Sequence, residues 1–246
     1  MLSILIWLPA AAALIGAIAG GERTSGGLTL LGSLASLGLA ISLIAGYNGQ
    51  LGQLTHVTDV VWIRSLGIHY KIGVDGLNLF LVAMTTLVFA VSLFAAYLRS
   101  WTKPTLFYLL IGLAESAVLG AFLAQDLVLF VAFFDLMLIP FYFLTGMWGG
   151  PGRVAATTKL VIYTLVGSLL MLAGAVALGV LTSQQSGLPI DFTYTALSAA
   201  PLPGGTQDWI FLFFAAAFLV KMPAFPLHGW MPDAYGNSGS TIRRNP

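Results

Sequence analysis

The stretch "LVLFVAFFDLMLIPFYFL", residues 127–144, decides the class of this protein. Every residue in it is apolar or proline except Asp135. A helix needs about 20 mostly apolar residues to span a bilayer, and this run, continued to Trp148, is long enough. The carboxylate near its centre is the anomaly. A charge at mid-membrane costs roughly 2.5–3.5 kcal/mol on insertion scales, so such groups are paired or face a bundle interior or a hydrated path.

The rest of the chain has the same character. It has 246 residues, 58% hydrophobic and 8% charged, whereas soluble domains carry about 25% charged residues. A net charge of +1 gives nucleic-acid binding no electrostatic support. The sequence has no cysteine, which excludes disulfides, thiolate metal sites, iron–sulfur clusters and thiol nucleophiles. It carries no phosphate loop, dinucleotide fingerprint or metal-ligand cluster, and "GVDGLNLF" lacks a strand–helix context for nucleotide. Cofactor and metal sites are therefore not expected in this chain. The first residues lack a basic segment and read as a retained span rather than a cleaved signal.

Seven stretches qualify as spans: Leu2–Ala19, Leu28–Tyr47, Val74–Leu98, Leu106–Leu123, Leu127–Trp148, Ala156–Leu181 and Trp209–Trp230. The runs are continuous rather than alternating, which excludes a barrel. The fold expected is all-α, a polytopic membrane bundle of about seven helices, the seventh broken by prolines. The segment "VVWIRSLGIHYKIGVDG" alternates and suggests a short extramembrane hairpin. Residues 1–235 form the membrane region, and 236–246 a polar tail.

The connectors sort by charge. Those after spans one, three and five hold Arg23, Arg99, Lys103, Arg153 and Lys159 against Glu22. The other connectors hold Arg64 and Lys71 against Asp59, Asp75, Asp126, Asp191 and Asp208. The positive-inside rule puts the first set in the cytoplasm, with the N-terminus outward. The tail, with Arg243 and Arg244, is then cytoplasmic.

Three ionisable residues remain at membrane depth: Glu115, Asp135 and Lys221. One reading is a salt bridge that fixes helix packing. The other is a proton relay, the commonest use of buried carboxylates and lysines in pumps. Replacing a buried pair by apolar residues is often neutral for stability, so keeping three costly groups favours a use for them. The segment "FLVKMPAFPLHGWMPDAY" contains Pro223, Pro226 and Pro232, which place Lys221 beside a broken helix whose freed carbonyls can hold water or an amine. His228, seven residues on, would share its face if the helix continued; the alternative is an interfacial, hydrogen-bonded histidine. Pro140 offers a kink after Asp135. Ser116, Thr145, Tyr163, Thr164 and Ser168 either line a path or bond their own backbones.

Four stretches resemble the antiporter-like subunit M (chain 4) of respiratory complex I, the proton-pumping NADH–quinone oxidoreductase. They are "GVDGLNLFLV", "ESAVLGAFLAQDLVLFVAFFDLMLIP", "WGGPGRVAATTKLVIYTLVGSLLML" and "VKMPAFPLHGWMPDAY", between Lys71 and Tyr235. Related subunits of multisubunit sodium/proton antiporters share the last of these. The resemblance implies that Asp135 takes the place of the glutamate paired with the helix-seven lysine. Lys221 takes the lysine's place, and Glu115 that of an upstream glutamate. The family usually has glutamate where Asp135 stands, so one methylene is missing from the pair.

The family continues past Tyr235 with further helices, whereas here "GNSGSTIRRNP" is polar. The expectation is an N-terminal half of such a subunit, with the tail a truncation or frameshift product. The expected function is part of a proton path through Asp135, Lys221, Glu115 and His228. The alternatives are a non-conducting structural fragment and a sodium/proton antiporter subunit. NADH, FMN, iron–sulfur clusters and quinone are implied only for the whole complex. The implied partners are neighbouring membrane subunits and the lipid bilayer. The implied location is a bacterial plasma, thylakoid or organellar inner membrane.

Overall fold

The computed structural model describes residues 1–48 and 53–236. The expected tail from residue 237 onward, with Arg243 and Arg244, lies outside the described residues. In chain order the elements are α1 (Leu2–Ala19), α2 (Glu22–Ala45), β1 (Thr55–Ile63), β2 (Ile68–Val74), α3 (Asn78–Tyr97) and α4 (Pro104–Leu123). They are followed by α5 (Leu127–Leu136), α6 (Leu138–Trp148), α7 (Arg153–Ser186), α8 (Tyr194–Ala199), α9 (Gly204–Lys221) and α10 (Met231–Gly236). The bundle is a polytopic helical one.

Among the described residues, six stretches are long and apolar enough to cross a membrane: α1, α2, α3, α4, α7, and α5 with α6 together. The seventh expected span, Trp209–Trp230, is not one helix. It starts earlier, at Gly204, and ends at Lys221; residues 222–230 are turns, and α10 follows. Pro223 and Pro226 lack the backbone donors that would carry the helix on. Other boundaries also move. Helix α2 starts at Glu22 rather than Leu28, and α7 starts at Arg153, so Lys159 sits in the second turn of a helix rather than in a loop. Backbone hydrogen bonding continues past the apolar window that hydropathy detects. The run around Asp135 breaks at Met137 into α5 and α6. Pro140 cannot donate to the Leu136 carbonyl, which weakens the ladder there.

Small residues set the helix approach. At Gly120 in α4, a Cβ would lie 2.4 Å from the Phe133 ring of α5. That contact ties α5 to the α1–α4 group. The opposite side of α5, with Val131 and Phe134, packs against Met171 of α7 and Ala217 of α9. Helix α5 therefore bridges two parts of the bundle.

The expected hairpin is present. Strands β1 and β2 pair antiparallel, with Asp59 opposite Lys71 and Val61 opposite His69. Asp59 Oδ1 lies 2.7 Å from His69 Nδ1, and Oδ2 lies 3.4 Å from Lys71 Nζ. Gly67 at the tip has φ 61°, and a Cβ there would fall 1.8 Å from the Ile190 carbonyl oxygen, so this turn requires glycine. The hairpin joins two other connectors. Gln125 N donates to Lys71 O (2.8 Å), Leu127 N to Phe192 O (2.9 Å) and Tyr194 N to Gln125 O (3.1 Å). At the other end of the bundle, Trp101 N donates to Glu22 Oε1 (2.9 Å) and Trp148 Nε1 to Thr102 O (2.8 Å). The connectors thus segregate into the two sets that the charge count separates.

Candidate functional site

Two backbone interruptions, at the end of α5 and the end of α9, meet at the site, and the start of α5 is fixed by Asp126. Asp126 opens α5: its Oδ1 accepts from Val128 N (2.9 Å) and Leu129 N (3.0 Å), and its Oδ2 from His69 N (3.0 Å). This buried carboxylate caps α5 and fastens it to the hairpin. Burial pushes its carboxyl above the ordinary aspartate range, against the pull of those three N–H donors. Eight residues further on, at the end of α5, stand Phe134 and Asp135.

Helix α9 supplies the amine. Pro223 has no N–H, and Ala224 N donates to Leu219 O (2.9 Å), five residues back. In a regular helix Ala224 would serve the Val220 carbonyl. That carbonyl accepts instead from Trp230 Nε1 at 2.9 Å, a buried bond across the break. Lys221 follows directly. It is half-buried; its Nζ donates to the Phe134 carbonyl at 3.1 Å and lies 4.1 Å from the centre of the Phe134 ring. A desolvated cation over an aromatic face is favoured electrostatically.

The amine therefore rests one residue short of the expected acid. Asp135 is half-buried and its Oδ1 has no hydrogen-bond partner. Among the described residues the ion pairs within 4.0 Å are His69–Asp59, Lys71–Asp59 and Lys159–Asp233, and none joins Asp135 to Lys221. The aspartate's short side chain leaves the carbonyl of residue 134 as the nearer acceptor.

Glu115 is fully buried, but in a different place. Its Oε1 accepts from Ser33 of α2 at 2.9 Å, and its Oε2 has no partner. No hydrogen bond or ion pair among the described residues joins it to Asp135 or Lys221. His228 departs from the expectation of a shared helical face. Since α9 stops at Lys221, His228 lies in the turn beyond, exposed, its ring 5.7 Å from that of Phe225.

A cavity of about 320 Å³ adjoins the amine, lined by Lys221, Thr145, Thr164, Phe141 and Trp230 among others. Of the candidate path residues, Thr145 and Thr164 reach it. Thr164 Oγ1 also donates to its own helix at Leu160 O (2.6 Å). Ser116 accepts from Ala10 N instead (3.0 Å). Sequence reasoning missed Trp230, Phe134 and Ser33. Trp230 carried a usable signal, because a buried indole N–H needs an acceptor and the proline break had freed one. The roles of Phe134 and Ser33 arise from helix packing and leave no local mark.

Residues 124–242 match a family described as NADH:quinone oxidoreductase/Mrp antiporter, transmembrane. Residues 124–242 belong to this family. It is 34% identical to the F(420)H(2) dehydrogenase subunit M of Methanosarcina mazei, over 96% of this chain and 48% of that one. It is equally identical, over the same shares, to the NADH-quinone oxidoreductase subunit M of Rhodobacter capsulatus. A chain of respiratory complex I from Thermus thermophilus with bound NADH superposes with a TM-score of 0.84 at 29% identity, over 96% of this chain and 47% of that one. A chain of the Mrp complex from Dietzia, at 21% identity and TM-score 0.77 over 96% of this chain and 25% of that one, shares the fold. The chain spans about half the length of these two curated relatives. The hairpin, the α5 break and the α9 break therefore belong to an antiporter-like membrane subunit.

Proposed function

We propose that this chain supplies part of a proton path in a membrane-bound quinone-reducing complex, with Lys221 as the proton carrier and Asp135 as the group that sets its charge. The observation that carries this reading is the Lys221 amine. It is lodged between two broken helices, on the Phe134 carbonyl, beside an Asp135 oxygen without a hydrogen-bond partner and a cavity that reaches the amine. Such a group can exchange partners at little structural cost. When Lys221 rests on the carbonyl, Asp135 is free to take a proton; when the two carboxylate oxygens meet the amine, the lysine holds its charge. In this reading the redox chemistry belongs to other subunits of the complex. Glu115, packed against Ser33, serves as a second carboxyl at the α2–α4 interface.

The test is the ratio of protons moved to electrons transferred in the assembled complex, in sodium-free medium. Lys221→Ala and Asp135→Asn should each lower that ratio while electron transfer persists. Asp135→Glu, which restores the longer acid of the family, should retain it. A wild-type ratio in assembled Lys221→Ala complex would remove the proton-carrier reading, and pumping that appears only with sodium added would favour a sodium path.

A further inference from the structure

We propose that Trp230, latched in place by the Lys159–Asp233 ion pair, is the positioning residue for the Lys221 amine. The inference rests on the proton-path reading of Lys221 and adds the device that aims it.

The proline break leaves a carbonyl to be satisfied. Once Ala224 N has gone to Leu219 O, the Val220 carbonyl is left inside the protein without its helical donor. A buried carbonyl without a partner is costly, so whatever donor satisfies it constrains the chain there. That donor is Trp230 Nε1. The Val220 carbonyl belongs to the same rigid peptide plane as the Lys221 nitrogen. Fixing this oxygen therefore fixes the direction in which the Lys221 side chain leaves α9. The far end of the side chain is held at Phe134 O. Trp230 and Lys221 also share the walls of the 320 Å³ cavity. If the indole leaves, the last turn of α9 can rotate, and the amine swings off α5.

Trp230 is itself held from the other side. Ala234 N donates to Trp230 O (3.0 Å), so the indole rides on the first turn of α10. Asp233 of α10 pairs with Lys159 Nζ of α7. Trp230 and Ala234 pack on Leu160 and Tyr163 of α7. Gly229 lets the backbone pass the Tyr163 hydroxyl, where a Cβ would stand at 3.1 Å. Helix α10 is thus tied to α7 beside the indole. A tryptophan that only filled space would need neither the aimed N–H nor the ion pair behind it.

The experiment uses the assembled complex in native membranes, with two readouts. The first is the proton-to-electron ratio. The second is labelling of Lys221 by a membrane-permeant amine reagent, read by mass spectrometry. Trp230→Phe keeps the ring and removes the donor. It should lower the ratio and raise Lys221 labelling, the labelling by up to about fivefold, the population change expected for loss of one buried hydrogen bond.

Lys159→Asp and Asp233→Lys should each act in the same direction, and the double reversal should restore both readouts towards wild type. Loss of assembly would lower pumping and electron transfer together and could not be rescued by charge reversal. If a variant does not assemble, Lys159→Gln is read by labelling in the membranes. Lys221→Ala separates the two ideas. A normal ratio there removes the proton-path reading. A collapsed ratio there, with wild-type ratio and labelling in Trp230→Phe and in both charge reversals, overturns the latch.

Discussion

Replacing Asp126 should loosen the layer that holds α5, in a pattern that distinguishes its two jobs. Its Oδ1 caps α5 through Val128 N and Leu129 N, while its Oδ2 holds the hairpin through His69 N. Asp126→Ala loses both. The cap is worth about 0.5–2 kcal/mol, and the orphaned His69 N–H, part-buried, costs up to about 1–3 kcal/mol more. Asp126→Asn keeps an oxygen for the cap but turns an amide donor towards a backbone donor. It should lose only the second contribution.

Hydrogen–deuterium exchange in detergent reads both. At about 1.4 kcal/mol per tenfold change, the His69 amide should exchange roughly 5- to 150-fold faster in either variant. The Val128 and Leu129 amides should respond clearly only in Asp126→Ala. The pH dependence provides a further check. Burial raises the folded-state pKa of Asp126, so the folded protein binds this proton more tightly than the unfolded chain. Stability from this group is therefore highest at low pH. It declines as pH climbs from the ordinary aspartate value of about 3.9 through the raised folded one, and Asp126→Asn should flatten that slope. Unchanged protection at His69 in Asp126→Ala would refute the clamp.

Two further outcomes follow from the packing and the charge layout. Arg23→Cys, Arg99→Cys and Arg153→Cys, all at exposed positions, should label with an impermeant thiol reagent only from the cytoplasmic side; labelling from outside alone would invert the proposed topology. Gly120→Ala should push α4 from α5, because its Cβ would stand 2.4 Å from the Phe133 ring, and cost about 1–3 kcal/mol in thermal or denaturant unfolding. Gly38→Ala, where nothing lies within 4 Å of the added carbon, is the control, and equal effects at the two sites would discredit the packing argument.

Much of the architecture was legible because it depends on residues close together in the chain. Apolar run length marks the spans, alternation marks the hairpin, and Pro223 and Pro226 mark the break after Lys221. The division of charge between connectors likewise foreshadowed which loops meet, as the contacts of Glu22 with Trp101 and of Lys71 with Gln125 bear out. Hydropathy did not give helix ends, because hydrogen-bonded turns extend beyond the apolar window. It therefore started the sixth span at Ala156, although α7 begins at Arg153.

The site itself divides along the same line. Composition alone marked Glu115, Asp135 and Lys221 as costly groups within apolar runs. It could not show which of them meet. Lys221 and its acceptor Phe134 are 87 residues apart, and a main-chain carbonyl carries no signature in the residue that bears it. Whether the amine finds the carbonyl or the carboxylate turns on how closely α9 approaches α5, and on one methylene in the acid. The helix end at Lys221 moved His228 out of line, and the packing of α4 on α2 gave Glu115 to Ser33. The sequence determined which ionisable groups fall within the apolar runs. Only the tertiary structure decided their partners, because a buried polar group takes the nearest satisfiable donor or acceptor, and nearness is set by how the helices pack.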